Sequence, residues 1–237
     1  MLRTGPELPK VRLVKIGLGN VDPTVGAFTA NVDQCVAMAR TMAAEDVTIA
    51  LFPEQVVGGY TPEDLVQWRG FVDGQWHELR RFAAETADLA MVSVIGAALL
   101  HHGLRYNCAV VVAGGQLLGI VPKQKLPTYN IFYEGRTITR GLPLEVGEMA
   151  GVPFGDLIFQ FDFGIVSVEI CEDLWSPDGP MKRRCYAGAE LVCNAQVGIP
   201  DRRNHTCRVD DPADGISAGQ PSRQGCGAGR RHVSSSL

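Results

Sequence analysis

Residues 106–123 read YNCAVVVAGGQLLGIVPK, two apolar runs joined at Gly114-Gly115. This is the pattern of an antiparallel hairpin, and it commits the middle of the chain to a sheet. Around it, strand and helix periodicities alternate. VRLVKIGLG (11–19) alternates as a first strand. FTANVDQCVAMARTMAAEDV (28–47) is helical, with Val32, Cys35, Val36, Ala39 and Met42 at three- and four-residue steps on one face. VTIALFPE (47–54) is a buried strand running into Pro-Glu. DGQWHELRRFAAETA (73–87) is a second amphipathic helix, and MVSVIGAALL (91–100) another buried strand. LIFQFDFGIVSVEIC (157–171) reads as two strands with a turn around Gly164. MKRRCYAGAE (181–190) reads as a short helix and LVCNA (191–195) as a strand. Strands and helices alternate with hairpins inserted, so the expected class is α/β, layered, with a mixed sheet. No repeat of fixed period is present.

The bulk chemistry narrows the function. The 237 residues are 46% hydrophobic and 20% charged, enough apolar material for one large domain or two small ones. A net charge of −4 argues against broad electrostatic binding to nucleic acid or anionic membranes. No run approaches the roughly 20 apolar residues of a membrane span. The start, MLRTGPELPKVRLV, lacks a signal-peptide core, so a cytoplasmic protein is expected. Cysteines stand at 35, 108, 171, 185, 193, 207 and 226, with no CxxC pair. Free thiols are expected, with Cys35, Cys108 and Cys193 packed in the core. No His/Cys/carboxylate cluster has metal-ligand spacing, so no metal is expected.

Three reactive residues each follow an apolar strand. Glu54 follows Val47–Phe52, Lys123 follows Leu117–Val121, and Cys171 follows Ile165–Ile170. Each alone has a structural explanation of equal weight. A Glu after Pro caps a turn, a lysine past a strand is solvated, and a strand-end Cys packs as a small hydrophobe. Cys171 precedes Glu172 and Asp173, acids that raise a thiol pKa unless a cation compensates. Together, a thiol, a carboxylate and an ammonium at strand ends of one α/β fold suit nucleophilic acyl transfer. The carboxylate takes the thiol proton, the thiolate attacks an amide or nitrile carbon, and the ammonium stabilises the oxyanion. A Ser-His-Asp arrangement competes poorly, because His77, His101 and His102 sit in helix or strand-end contexts and His205 and His232 lie near the C-terminus.

These residues, in this order, resemble the nitrilase, or carbon–nitrogen hydrolase, superfamily. The words NVDPTVGAFTAN (20–31), FPEQVVGGYTPEDL (52–65), PKQKLPTYNIFYEGR (122–136) and VEICEDLWSPDGP (168–180) are similar to the glutaminase domains of glutamine-dependent NAD synthetases. The resemblance covers about the first four-fifths of the chain. It implies an α-β-β-α sandwich with mixed sheets. It also implies hydrolysis of the glutamine side-chain amide through a thioester, the ammonia passing to an ATP-dependent synthetase domain. Carried over by motif, Cys171 is the nucleophile, Glu54 the general base and Lys123 the oxyanion-stabilising cation, with Lys125 a nearby alternative. Tyr129 contacts glutamine, Glu134 is a second active-site glutamate, and Glu172 faces the substrate's amino group.

The resemblance weakens near residue 196. The family's next word, N-x-S-x-S-P followed by an arginine, helps hold glutamine's amino-acid end. Here Gln196 and Gly198 stand for the serines and Asn204 stands near the arginine position, with Arg202 and Arg203 close by. Residues 197–237 have few apolar side chains and no periodicity, so a tail outside the fold is expected, disordered or produced by a shifted reading frame. The resulting expectation is a glutaminase domain over 1–196, its sandwich incomplete at the C-terminus and poorly soluble alone. The synthetase domain, and with it any site for ATP or deamido-NAD, has no counterpart in the chain, so no cofactor is expected. A synthetase domain or chain receiving the ammonia, and a second copy in a homo-oligomer, are the expected partners. Two other readings stand beside this one: a free-standing amidase acting on another small amide, and a non-catalytic remnant.

Overall fold

The computed structural model describes residues 13–129 and 132–196. In chain order they form β1 (Ile16–Leu18), α1 (Phe28–Ala44), β2 (Ile49–Leu51), α2 (Arg69–Glu85), β3 (Val92–His101), β4 (Leu104–Ala113) and β5 (Gln116–Pro122). Then follow β6 (Val146–Met149), β7 (Val152–Gly155), β8 (Ile158–Phe161), β9 (Gly164–Ile170), α3 (Glu172–Trp175), α4 (Pro180–Tyr186) and β10 (Leu191–Ala195). Seven strands form one sheet in the order β1-β2-β3-β4-β5-β7-β6, and three form a second in the order β10-β9-β8. Both are mixed. β1–β2, β2–β3 and β9–β10 run parallel, whereas β3–β4, β4–β5 and β8–β9 run antiparallel.

Strand alternation builds the layers. On the large sheet Ala50, Ile95, Ala97, Val110, Val112 and Ile120 face the helices, meeting Val32, Cys35, Ala39 and Leu79. The alternate residues Ile49, Leu51, Val94, Ala109, Val111 and Val121 face the small sheet and pack on Val166, Val168, Ile170, Cys193 and Ala195. Central strands buried on both faces read as continuous apolar runs, which is why the hairpin is so plain in the sequence. Its turn, Gly114-Gly115, has φ of 54° and 78°, a conformation that glycine adopts without strain. Beyond the small sheet, Arg184 of α4 reaches back to the Val168 carbonyl.

Several elements differ from the sequence reading. The first strand shortens to Ile16–Leu18 on an edge, part of the expected run lying outside the described residues. Helix α2 starts four residues early, because Phe71 and Val72 extend its buried face and Phe71 packs edge-on against Phe28, ring centroids 5.0 Å apart. The β6–β7 hairpin carries no clear apolar alternation, since half of its strand residues are exposed and only Met149, Phe154 and Gly155 are buried. Among the described residues no helix is long and apolar enough to cross a membrane. The expected tail (197–237) and Gly198, Arg202, Arg203 and Asn204 lie outside the described residues.

Candidate active site

Glu54 owes its position to the way the chain leaves β2. Pro53 cannot donate to a ladder and ends the strand. The turn then crosses β3 at Gly96, where a Cβ would collide with the Pro53 carbonyl and the Gln55 amide, so the close approach requires glycine. The segment after Glu54 is held from α1, where the buried Asn31 donates to the Val57 carbonyl at 3.1 Å. Lys123 comes just past β5. Its amide donates to Asn107 O at 2.8 Å and its carbonyl accepts from Gly141 N at 2.7 Å. Cys171 stands at the turn from β9 into α3 with φ at 45°, a left-handed conformation unusual for a residue with a side chain. Its amide donates to Ala195 O at 3.0 Å, so the end of β10 fixes the turn.

These three strand ends converge. Lys123 Nζ lies 2.7 Å from Glu54 Oε1 and 2.7 Å from Glu134 Oε2, all three side chains being almost wholly buried. The contact with Glu134 is a buried ion pair. Asn107, buried on β4, donates from one amide nitrogen to Glu54 Oε1 at 2.7 Å and Glu134 Oε1 at 3.1 Å. The second oxygen of Glu54 is buried without a hydrogen bond among the described residues.

Electrostatics set the resting protonation. Burial pushes the Cys171 thiol up to about 12, Glu54's charge adds to the rise and Lys123 opposes it. The thiol is therefore neutral at rest, and its proton must leave as the sulfur attacks. For Lys123 burial works against the charge, but Glu54 and Glu134 outweigh it and hold the ammonium above the usual lysine range. Burial raises the Glu134 carboxyl to about 7 although Lys123 pulls it back.

The softer sequence candidates occupy one flank. Tyr129 Oη donates to Glu172 Oε2 at 2.6 Å, and that bond, ahead of burial, raises the phenol to about 12. The pair lines a cavity of about 340 Å³ with Lys125, Arg140 and Ser176. Lys125 is drawn away from the cluster to Asp178, 2.5 Å from its ammonium, which leaves Lys123 as the cation between the carboxylates. A second cavity, about 370 Å³, reaches Glu134 and is lined also by Gln55, Tyr60, Phe132 and Tyr133.

Two residues join the site that the sequence reading does not single out. The Tyr60 phenol is raised by burial, then by Glu54, Glu134, Cys171 and Tyr129, which places it among all four. It lies inside the word FPEQVVGGYTPEDL but has no role assigned there. Asn107 had a signal, a polar side chain inside an otherwise apolar strand.

Comparison with known proteins places the chain in a family. Residues 15–210 match the family described as carbon-nitrogen hydrolase. The glutamine-dependent NAD(+) synthetase of Mycobacterium tuberculosis H37Rv is 37% identical over 179 residues, 72% of this chain and 26% of that protein. The chain thus spans about a quarter of the length of that curated relative. Among solved structures, a glutamine-dependent NAD(+) synthetase from Cytophaga hutchinsonii superposes with a TM-score of 0.70 at 24% identity, covering 78% of this chain and 30% of that one. An amidase from Nesterenkonia sp. superposes at 0.63 with 18% identity, covering 79% of this chain and 66% of the amidase. These two likenesses show the α-β-β-α fold.

Proposed function

Because the chain belongs to the carbon–nitrogen hydrolase family, we propose that it hydrolyses the side-chain amide of glutamine and supplies ammonia for amidation of deamido-NAD by an ATP-dependent synthetase domain. The observation that carries this reading is the buried Lys123 held between Glu54 and Glu134 beside a protonated Cys171. The similarity to glutamine-dependent NAD(+) synthetases supports glutamine as substrate. Glu54 takes the Cys171 proton while Sγ attacks the amide carbon. The carbonyl oxygen becomes an oxyanion facing the Lys123 ammonium. Collapse of the intermediate returns the proton from Glu54 to the departing nitrogen, releasing ammonia and leaving a thioester. A water, deprotonated by Glu54, then attacks the thioester, and glutamate leaves as Cys171 recovers its proton. Glu134 and Asn107 hold Lys123 and Glu54 in register. Glu172 receives the substrate ammonium, and Tyr129 fixes the Glu172 carboxylate.

The test is ammonia release from glutamine by the purified chain, with Cys171→Ala as the control. Release that disappears in the variant is expected. A second reading, an amidase acting on a smaller amide, is favoured by the chain's coverage of two-thirds of the Nesterenkonia amidase. Turnover of propionamide or acetamide in preference to glutamine would select it. A folded chain that turns over no amide would leave a catalytically inert member of the family.

A further inference from the structure

The candidate nucleophile and its cation stand on different sheets. Lys123 follows β5 of the large sheet, and Cys171 follows β9 of the small one. The sheets meet through Val121, Val168, Ile170 and their apolar neighbours, a contact that is strong but without direction. Such packing resists separation far better than it fixes a lateral offset, and the chemistry needs Nζ and Sγ in one fixed relation.

We propose that Asp173 is a positioning residue that locks the Lys123 loop to the Cys171 turn across the two sheets. Its Oδ1 accepts from the Gln124 amide at 3.0 Å and the Lys125 amide at 2.7 Å, the two residues that follow Lys123. Its Oδ2 accepts from the Ile170 amide at 3.1 Å, the residue before Cys171. One buried carboxylate thus receives three main-chain donors from two strand ends that share no ladder. Gln124 and Lys125 lie past the end of β5 and Ile170 is the last residue of β9, and Asp173 supplies acceptors for these three amides at the strand ends. A second bond lies on the same path: Arg183 of α4 donates to Gln124 Oε1 at 3.1 Å. Asp173 touches neither Cys171 Sγ nor Lys123 Nζ in this scheme; it acts through the backbone that carries them. The inference rests on Cys171 and Lys123 serving one reaction, but the bonds themselves can be tested without turnover.

The experiment compares wild type, Asp173→Asn and Asp173→Ala. The asparagine has one carbonyl oxygen, so it can serve one strand end but not both. Hydrogen exchange is expected to quicken by about tenfold or more in peptides covering 124–125 or 170 in Asp173→Asn, and in both in Asp173→Ala. Alkylation of Cys171 by iodoacetamide is followed against pH. Loosening Lys123 removes the charge that opposes the rise in the thiol pKa, so the profile moves to higher pH in both variants. With an amide that the wild type turns over, kcat falls about 100-fold in Asp173→Asn while KM changes less than about threefold. A merely structural aspartate would lower the unfolding midpoint and leave the alkylation profile and kcat of the folded variant unchanged. That result, or unchanged exchange at all three amides, overturns the proposal. If Asp173→Ala fails to fold, Asp173→Asn and Arg183→Gln decide it by the same exchange and alkylation readouts. Absence of wild-type turnover on every amide would instead count against the proposed function, with exchange still judging the lock.

Discussion

Around Asp156 one carboxylate is shared by two guanidiniums; around Lys123 one ammonium is shared by two carboxylates. Asp156 accepts from Arg184 at 2.8 Å through Oδ1, and from Arg183 at 2.6 Å and the Leu144 amide at 2.8 Å through Oδ2. Burial works against its charge, but the Leu144 amide and the two arginines outweigh it and hold it below the usual carboxylate range. Such a carboxylate is locked: both oxygens are occupied and it takes no proton near neutrality. The Lys123 cluster has the opposite stoichiometry, with one cation for two acids. Glu54 Oε2 is left without a hydrogen bond among the described residues, and burial, with the charge of Glu54 adding to it, lifts Glu134 to about 7. The same kinds of group, in the same fold, make a fastener with excess positive charge and a proton acceptor with excess negative charge.

The largest effect should come from removing the shared ammonium. Lys123→Met leaves two buried carboxylates facing each other, and ammonia release is expected to fall by about 1,000-fold, since the developing oxyanion loses its counter-charge. Steady-state ammonia assays on the folded variant measure this. A fall of only a few-fold would mean that Lys123 is there to hold Glu54 and Glu134, as the arginines hold Asp156. The matching change in the fastener is Arg184→Met. It strands part of the charge of a buried pair and is expected to lower stability by about 3 kcal/mol in urea titrations. Well below the unfolding midpoint its turnover should stay within about threefold of wild type. A larger loss of turnover would erase the distinction between the two clusters.

How much of this was legible in the sequence follows from what leaves a periodic trace. The central hairpin, α1 with its buried apolar face, and the strand ends carrying Glu54, Lys123 and Cys171 all stand out, because the end of an apolar run marks where each strand stops. The edge hairpin β6–β7 does not, because Met149 and Phe154 are its only buried apolar residues besides glycine, too few to mark a period. The meeting of Lys123 with two carboxylates leaves no periodic trace; only the resemblance brings Glu54, Lys123 and Glu134 to one site. The hairpin pattern sets β5 beside β4, but the folding back of the loop after residue 123 is not encoded in spacing. Asp173 reads as one more acid beside the cysteine until its three main-chain donors are seen.

Asn107 sharpens the comparison at the next scale down. Its single amide nitrogen links both carboxylates of the negative cluster, a role that has no counterpart at Asp156. Asn107→Leu keeps the volume and removes two charge-assisted bonds. It is expected to lower kcat about tenfold and leave substrate binding nearly unchanged. Equal kinetics in the variant would show that Lys123 alone aligns Glu54.

The smallest effect, and the one that separates the clusters most directly, is the sign of their pH dependence. Glu134 is held at about 7 when folded against an ordinary value of 4.5, so across that window the folded chain binds more protons than the unfolded one. Its contribution to stability is present below about pH 4.5 and is lost as pH rises through 7. Asp156 runs the other way: held below its ordinary value of 3.8, it contributes above that pH and loses the contribution as pH falls through its folded value. Glu169, buried on β9 and raised to about 7, shares the sign of Glu134, so Glu134→Gln should flatten only part of the decline between pH 5 and 8. Arg184→Met should instead weaken the decline on the acid side, below about pH 4. Urea midpoints at half-unit steps across both ranges measure the two slopes. If Glu134→Gln changed the acid slope, or Arg184→Met the neutral one, the stoichiometry of charge would not be what divides proton acceptor from fastener.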